Sequence, residues 1–201
     1  MENTELILKD LGSANFECRR SAATRLCEAA YCGEDLSQFY IRLGRLLEDS
    51  DVGTRSSAAA ALTYTQMARR GFKHAMQLLS HRDYYVKSNA AGAVMDYYLK
   101  TRYLEGIQAM LMYSDPVVAI QAVWKVNNFI PTCKSIAQLQ ELKKLVKTSC
   151  NGNSGWLVRE IIVRMRTIAD GLAEMALVPQ RRAIPAATAR PQEKLAVRRM
   201  G

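Results

Sequence analysis

The sequence predicts an all-α fold: a right-handed α–α superhelix of about five stacked helical pairs. Three observations predict it. One apolar spacing recurs five times along the chain, a helix-capping residue precedes each recurrence, and the composition favours helix over strand.

The recurring spacing is set by a frame on Cys18, Thr54, Val86, Val118 and Leu157. Four residues later stand Ala22, Ala58, Ala90, Ala122 and Ile161, followed directly by Ala23, Ala59, Ala91, Val123 and Ile162. Eight residues after the frame come Leu26, Leu62, Val94, Val126 and Met165. Positions 0, 4, 5 and 8 form one stripe of an α-helix. The frame recurs at intervals of 36, 32, 32 and 39 residues.

Three residues before each frame position stand Asn15, Asp51, Asp83, Asp115 and Ser154. Each carries a side-chain oxygen that can accept from the unpaired amides of a first helical turn. Pro116 follows Asp115 at the first helical position, where a missing N–H costs nothing. A first helix precedes each of these second helices. Its apolar residues are Ile7 and Leu11; Leu43, Leu46 and Leu47; Ala75, Leu78 and Leu79; Ile107, Met110 and Leu111; and Leu139, Leu142, Leu145 and Val146. The last interval is the longest because the first helix of the fifth unit is longer and leads into a loop over 150–155.

Each unit therefore reads as helix, Asp-bearing turn, helix, over roughly residues 5–176. The turn Asp, the basic residue after the frame (Arg19, Arg55, Lys87) and the alanine pair resemble the HEAT-repeat family, particularly the short bacterial, phycobilisome-lyase-like type. The fourth repeat departs with Ala119 in the basic position, and the fifth with Ile161 and Ile162 in place of the alanines. The resemblance implies a HEAT-like solenoid whose second helices line a concave binding face. It implies no particular activity.

The 201 residues suit one domain, and 49% hydrophobic content suffices for a core. No apolar run approaches the ~18 residues that would span a bilayer. The start, MENTELILKDLG, does not read as a secretory signal, so the expected location is cytoplasmic. Five cysteines without a Cys-x-x-Cys pair argue against a disulfide framework or zinc module. The net charge of +9 is uneven: residues 179–201 hold Arg181, Arg182, Arg190, Lys194, Arg198 and Arg199 against Glu193 alone, a net of +5. The expected division is a solenoid over 1–178 and a basic tail over 179–201. Pro179, Pro185 and Pro191 should keep that tail from forming a continuous helix. The tail reads as a docking peptide, an electrostatic arm for nucleic acid or an anionic surface, or a solubilising segment.

Candidate contact residues follow from the phase of the second helices, at two, six, nine and ten residues after the frame. They are Arg20, Tyr64, Met95, Asp96, Trp124 and Asn128, in a groove that also holds Ser56, Ser88 and Gln121. A mixed polar groove of this kind suits a protein partner better than a phosphate backbone. Trp124 stands where the other repeats carry Thr24, Ala60 and Gly92. It either anchors a partner or fills a gap in the stack, and the high average burial of Trp favours the second. For Tyr84, Tyr85, Tyr97, Tyr98 and Tyr103, helical spacing favours packing between repeats for most of them.

No motif brings together a nucleophile, a base or a metal-ligand set, and His74 and His81 read as solvated. The expectation is a non-enzymatic binding or adaptor protein with no metal or cofactor. The alternative is a nucleic-acid-binding HEAT-like protein, including one resembling alkylpurine DNA glycosylases, for which Trp124, Asp96 and Arg159 would be the residues to propose.

Overall fold

The computed structural model describes residues 4–69, 71–149 and 155–182, with side chains to residue 172. Among these there are ten α-helices, three 3-10 turns and no strand. The first helices of the five pairs are α1 (Thr4–Leu11), α3 (Tyr40–Arg45), α5 (Phe72–Leu78), α7 (Leu104–Leu111) and α9 (Ile136–Ser149). The second helices are α2 (Phe16–Tyr31), α4 (Val52–Ala68), α6 (Tyr84–Thr101), α8 (Pro116–Phe129) and α10 (Gly155–Arg182). Short 3-10 turns extend α3 at both ends and follow α8 at Ile130–Thr132.

The caps explain where the second helices begin. Asn15 accepts from the Glu17 amide at 2.9 Å, Asp51 from Thr54 at 2.7 Å, Asp83 from Val86 at 2.9 Å and Asp115 from Val117 at 2.9 Å. Ser154 lies outside the described residues. α2 ends where Gly33 takes a φ of 93°, a conformation open to glycine at no steric cost.

The stripe forms the core. Ala22, Ala58, Ala90, Ala122 and Ile161 are all fully buried. Small side chains at this level let helices approach closely: α2 packs on α4, α4 on α6 and α6 on α8. The last pair differs. α10 packs mainly on α9 and on the 3-10 turn after α8. Two isoleucines where α2, α4 and α6 carry alanine pairs demand more room, which is the physical reason. The buried residues form two clusters, one spanning the first two pairs and one the remaining three together with Met67 of α4, with Leu78 packed against both.

A row of ion pairs ties successive turns together. Arg19 binds Asp49 through two hydrogen bonds, 2.6 Å and 2.9 Å, and also donates to the carbonyls of Ser13 and Ala14. Arg55 repeats this arrangement, donating to the carbonyls of Asp49 and Ser50 and pairing with Asp83 at 3.0 Å. Lys87 reaches Asp115 at 2.5 Å. The row stops at α8, where Ala119 has no charge to offer.

Pro179, the expected start of the tail, lies within α10. α10 carries through Pro179 to Arg182, so four residues assigned to the tail are helical. A proline within a helix forfeits one backbone hydrogen bond without ending it where the flanking turns hold. Arg190, Lys194, Arg198 and Arg199 lie outside the described residues, as do the side chains of Arg181 and Arg182. Among the described residues no helix is long and apolar enough to cross a membrane.

Candidate functional site

The C-terminal parts of α2, α4, α6 and α8 converge on one cleft. Its centre is the carboxylate of Asp96 on α6. The Tyr64 hydroxyl of α4 donates to Asp96 Oδ2 at 2.6 Å, and Lys125 Nζ of α8 donates to the same oxygen at 2.5 Å. Three helices thus meet on one atom. Burial pushes the Tyr64 hydroxyl well above the usual phenol range, and its bond to Asp96 adds to the rise.

Around this centre the wall is aromatic and cationic. The Tyr31 ring packs edge-on against Tyr64 with centroids 5.4 Å apart, and Lys100 Nζ lies 5.7 Å over the Tyr31 ring. Tyr31, Asp96, Lys100, Lys125, Asn128 and Phe129, with Leu99 and Thr132, enclose about 420 Å³. Cys27 lies nearby on α2, and burial raises its thiol pKa to about 11, which keeps it protonated and inert.

Trp124 and Ile120 stand on α8 one and two turns before Asn128. They are 60% and 58% exposed, so Trp124 does not fill a gap in the stack. The reason lies in the next helix. On α6 the corresponding position is Gly92, and a Cβ there would meet Lys125 and Gln121 of α8 at 3.0 Å and 3.4 Å. Trp124 receives no comparable cover, because α10 docks on α9 rather than along α8.

The expected contact residues divide. Tyr64, Asp96 and Asn128 belong to the cleft or its centre, and Trp124 lies beside it. Met95 does not: it is fully buried in the core with Val94, Tyr98 and Leu99, and cannot touch a partner. Arg20 is exposed but bound to the Asp51 carboxylate and stacked on Phe16 at 5.2 Å, so it braces the first two pairs. Gly53 makes room for it, since a Cβ there would meet Arg20 Nε at 2.6 Å. Tyr31, Lys100 and Lys125 were missed. Tyr31 and Lys100 lie thirteen and fourteen residues past the frame, beyond the groove phase of two to ten, and Lys125, seven past it, falls between those positions.

The tyrosines divide. Tyr98 is buried, Tyr97 packs against the core and the Tyr103 ring meets Tyr98 edge-on at 5.2 Å, whereas Tyr84 and Tyr85 are exposed at the start of α6. The histidines are not both simply solvated. His74 and His81 line a second cleft of about 270 Å³ with Tyr40, Gln66 and Leu78. His81 Nδ1 accepts from the Asp83 amide at 3.1 Å and its Nε2 lies 3.6 Å from Glu48. Gln66 donates to the Tyr40 hydroxyl at 2.6 Å. Among the described residues no three His, Cys, Asp or Glu side chains gather as a metal site requires. For the glycosylase-like trio, Asp96 is engaged by Tyr64 and Lys125, and Arg159 is exposed on α10.

No protein-family model matches this sequence, and no curated protein matches it. Among solved structures, a crystal structure of an engineered protein superposes over 94% of this chain and 91% of its own, at 15% identity and a TM-score of 0.41. A likeness of that order assigns neither family nor function.

Proposed function

We propose that this chain is a HEAT-like α-solenoid that acts as a non-enzymatic adaptor, binding a protein partner on the face formed by its second helices. The architecture rests on the fivefold frame and on the packing order α2, α4, α6, α8. The single observation that carries the binding reading is the exposed pair Ile120 and Trp124 on α8, leading along one helix face to Asn128 in the Asp96 cleft. A large aromatic left uncovered beside a polar, hydrogen-bonding cleft matches the anatomy of an interface anchor with a polar surround. Asp96 and Lys125 hold each other, so the cleft is preorganised and does not have to order its own charges on binding.

The test uses the full chain as bait in its native cell extract, alongside Trp124→Ala. A partner retained by the parent should then be titrated against both as isolated proteins. The expected result is a fall in affinity of about 30-fold or more for Trp124→Ala, the range of an interface hot spot. Its melting temperature should be unchanged, because an exposed side chain contributes little to stability. Equal affinity with the fold intact would remove Trp124 from the interface.

A further inference from the structure

Positive charge divides the molecule more sharply than the tail alone suggests. Residues 1–130 hold 15 Lys and Arg against 14 Asp and Glu, whereas residues 131–201 hold 13 against 5. In the first part many cations are also spent on ion pairs, as with Arg19, Arg55, Lys87 and Lys125. Arg69, the first of the basic residues at 69–73, is paired with Asp35.

α9 is arranged differently. Gln140, Lys143, Lys144 and Lys147 recur at the spacing of one helix face, and their stems frame a shallow groove of about 250 Å³. None of the three lysines forms an ion pair with a described residue. The first lysine is partly buried and the other two are exposed. From Lys143 to Lys147 the helix rises about 6 Å. One strand of a duplex advances about 3.4 Å of axis per phosphate, so the stripe spans about two phosphate steps and sets its three lysines against three successive phosphates.

We infer that α9 is a phosphate-backbone contact surface for nucleic acid, formed by Lys143, Lys144 and Lys147 with the Gln140 amide as an added donor. An anionic membrane fits less well. Surface-bound helices set apolar side chains beside their cations, and none of the large exposed hydrophobics lies on α9. The surface shares no residue with the Asp96 cleft, so it stands independently of the proposed protein interface. It carries no base-reading geometry, so binding through it is independent of sequence.

The test measures anisotropy of fluorescein-labelled 20-nucleotide single strands and 20-base-pair duplexes against the full-length protein across a salt series. The triple variant Lys143→Gln, Lys144→Gln, Lys147→Gln keeps helix-forming residues on this face. It should bind at least tenfold more weakly at low salt. Its slope of log affinity against log salt on duplex should be shallower by about 2 to 3, as expected for three lost phosphate contacts. The corresponding triple Lys→Arg variant should bind like the parent, and circular dichroism of both variants should match it. Three results would overturn the inference: no binding by the parent, binding unchanged in the Lys→Gln variant, or loss that the Lys→Arg variant shares. Anionic phosphatidylserine vesicles serve as the competing probe. Lysine-dependent binding to them without binding to either nucleic acid would hand the surface to a membrane instead.

Discussion

The hydroxyl of Tyr64 and the carboxylate of Asp96 meet at 2.6 Å between α4 and α6, 32 residues apart in sequence. The oxygen they share also receives Lys125 from α8. A charged acceptor that serves two donors, all three partly buried, stabilises more than a solvated surface pair does. Asp96→Ala should destabilise the fold by about 2 to 3 kcal/mol and Tyr64→Phe by about 1 kcal/mol. Because both remove the same bond, the double variant should fall short of the sum by about 1 kcal/mol. Chemical denaturation of the four proteins measures this, and strict additivity would show that the bond contributes nothing.

The beginnings of the second helices were legible because capping is local chemistry: an Asx side chain and the amides two or three residues on decide it. The buried stripe was legible for a similar reason, since its period is that of one helix. The burial of Met95 was not legible, because its phase alone places it at the groove edge while its neighbours in the core decide its exposure. Whether Trp124 is covered or exposed was not legible, because that depends on where α10 docks, a relationship between helices of different pairs. The cleft was only partly legible. Tyr31 meets Lys100 and shares a cleft with Lys125 only because helices from different parts of the chain converge at one end, and no periodicity within a single helix encodes that.

One frame position makes opposite demands in different repeats. Ala90 and Ile161 occupy the same place in α6 and α10, and both are fully buried. At Ala90 the flanking second helices pack closely, so Ala90→Ile should overpack the seam and cost about 1 to 3 kcal/mol. At Ile161 the reverse change, Ile161→Ala, should open a cavity and cost about 2 to 5 kcal/mol. Denaturant melts of both variants check this. A neutral Ala90→Ile would mean the seam is looser than the burial indicates.

Arg102 follows α6 with a φ of 57°, the left-handed region that a side chain with a Cβ enters at a cost. Its amide bonds back to the Tyr98 carbonyl to close the helix, so the conformation is part of the cap. Arg102→Gly should stabilise by about 0.5 to 1 kcal/mol, the relief of strain being offset in part by the greater freedom of glycine in the unfolded chain. A melting temperature that fails to rise would show that the Arg102 side chain contributes more than its backbone costs.

The row of turn carboxylates gives the fold a defined acid sensitivity. Hydrogen bonding to Arg19 holds Asp49 below the usual carboxylate range, Arg20 does the same for Asp51, and Lys87 for Asp115. For Asp83, burial alone pushes upward, but the Val86 amide and Arg55 outweigh it and the net shift is downward. A carboxylate with a folded pKa below its unfolded one binds fewer protons when folded. Its stabilisation is therefore fully present above the unfolded value of about 4 and disappears as pH falls through the lower folded value. The melting temperature should be flat with respect to these groups from pH 7 to 5 and should fall steeply below pH 4. Asp83→Asn isolates one member of the row. Asparagine still caps α6, so only the charge is lost, at about 1 kcal/mol or less near neutral pH. The difference between parent and variant should shrink as pH drops below 4, where the parent carboxylate is itself being protonated. A difference that stays constant down to pH 2 would mean that Asp83 acts only as a cap and that its pairing with Arg55 adds nothing.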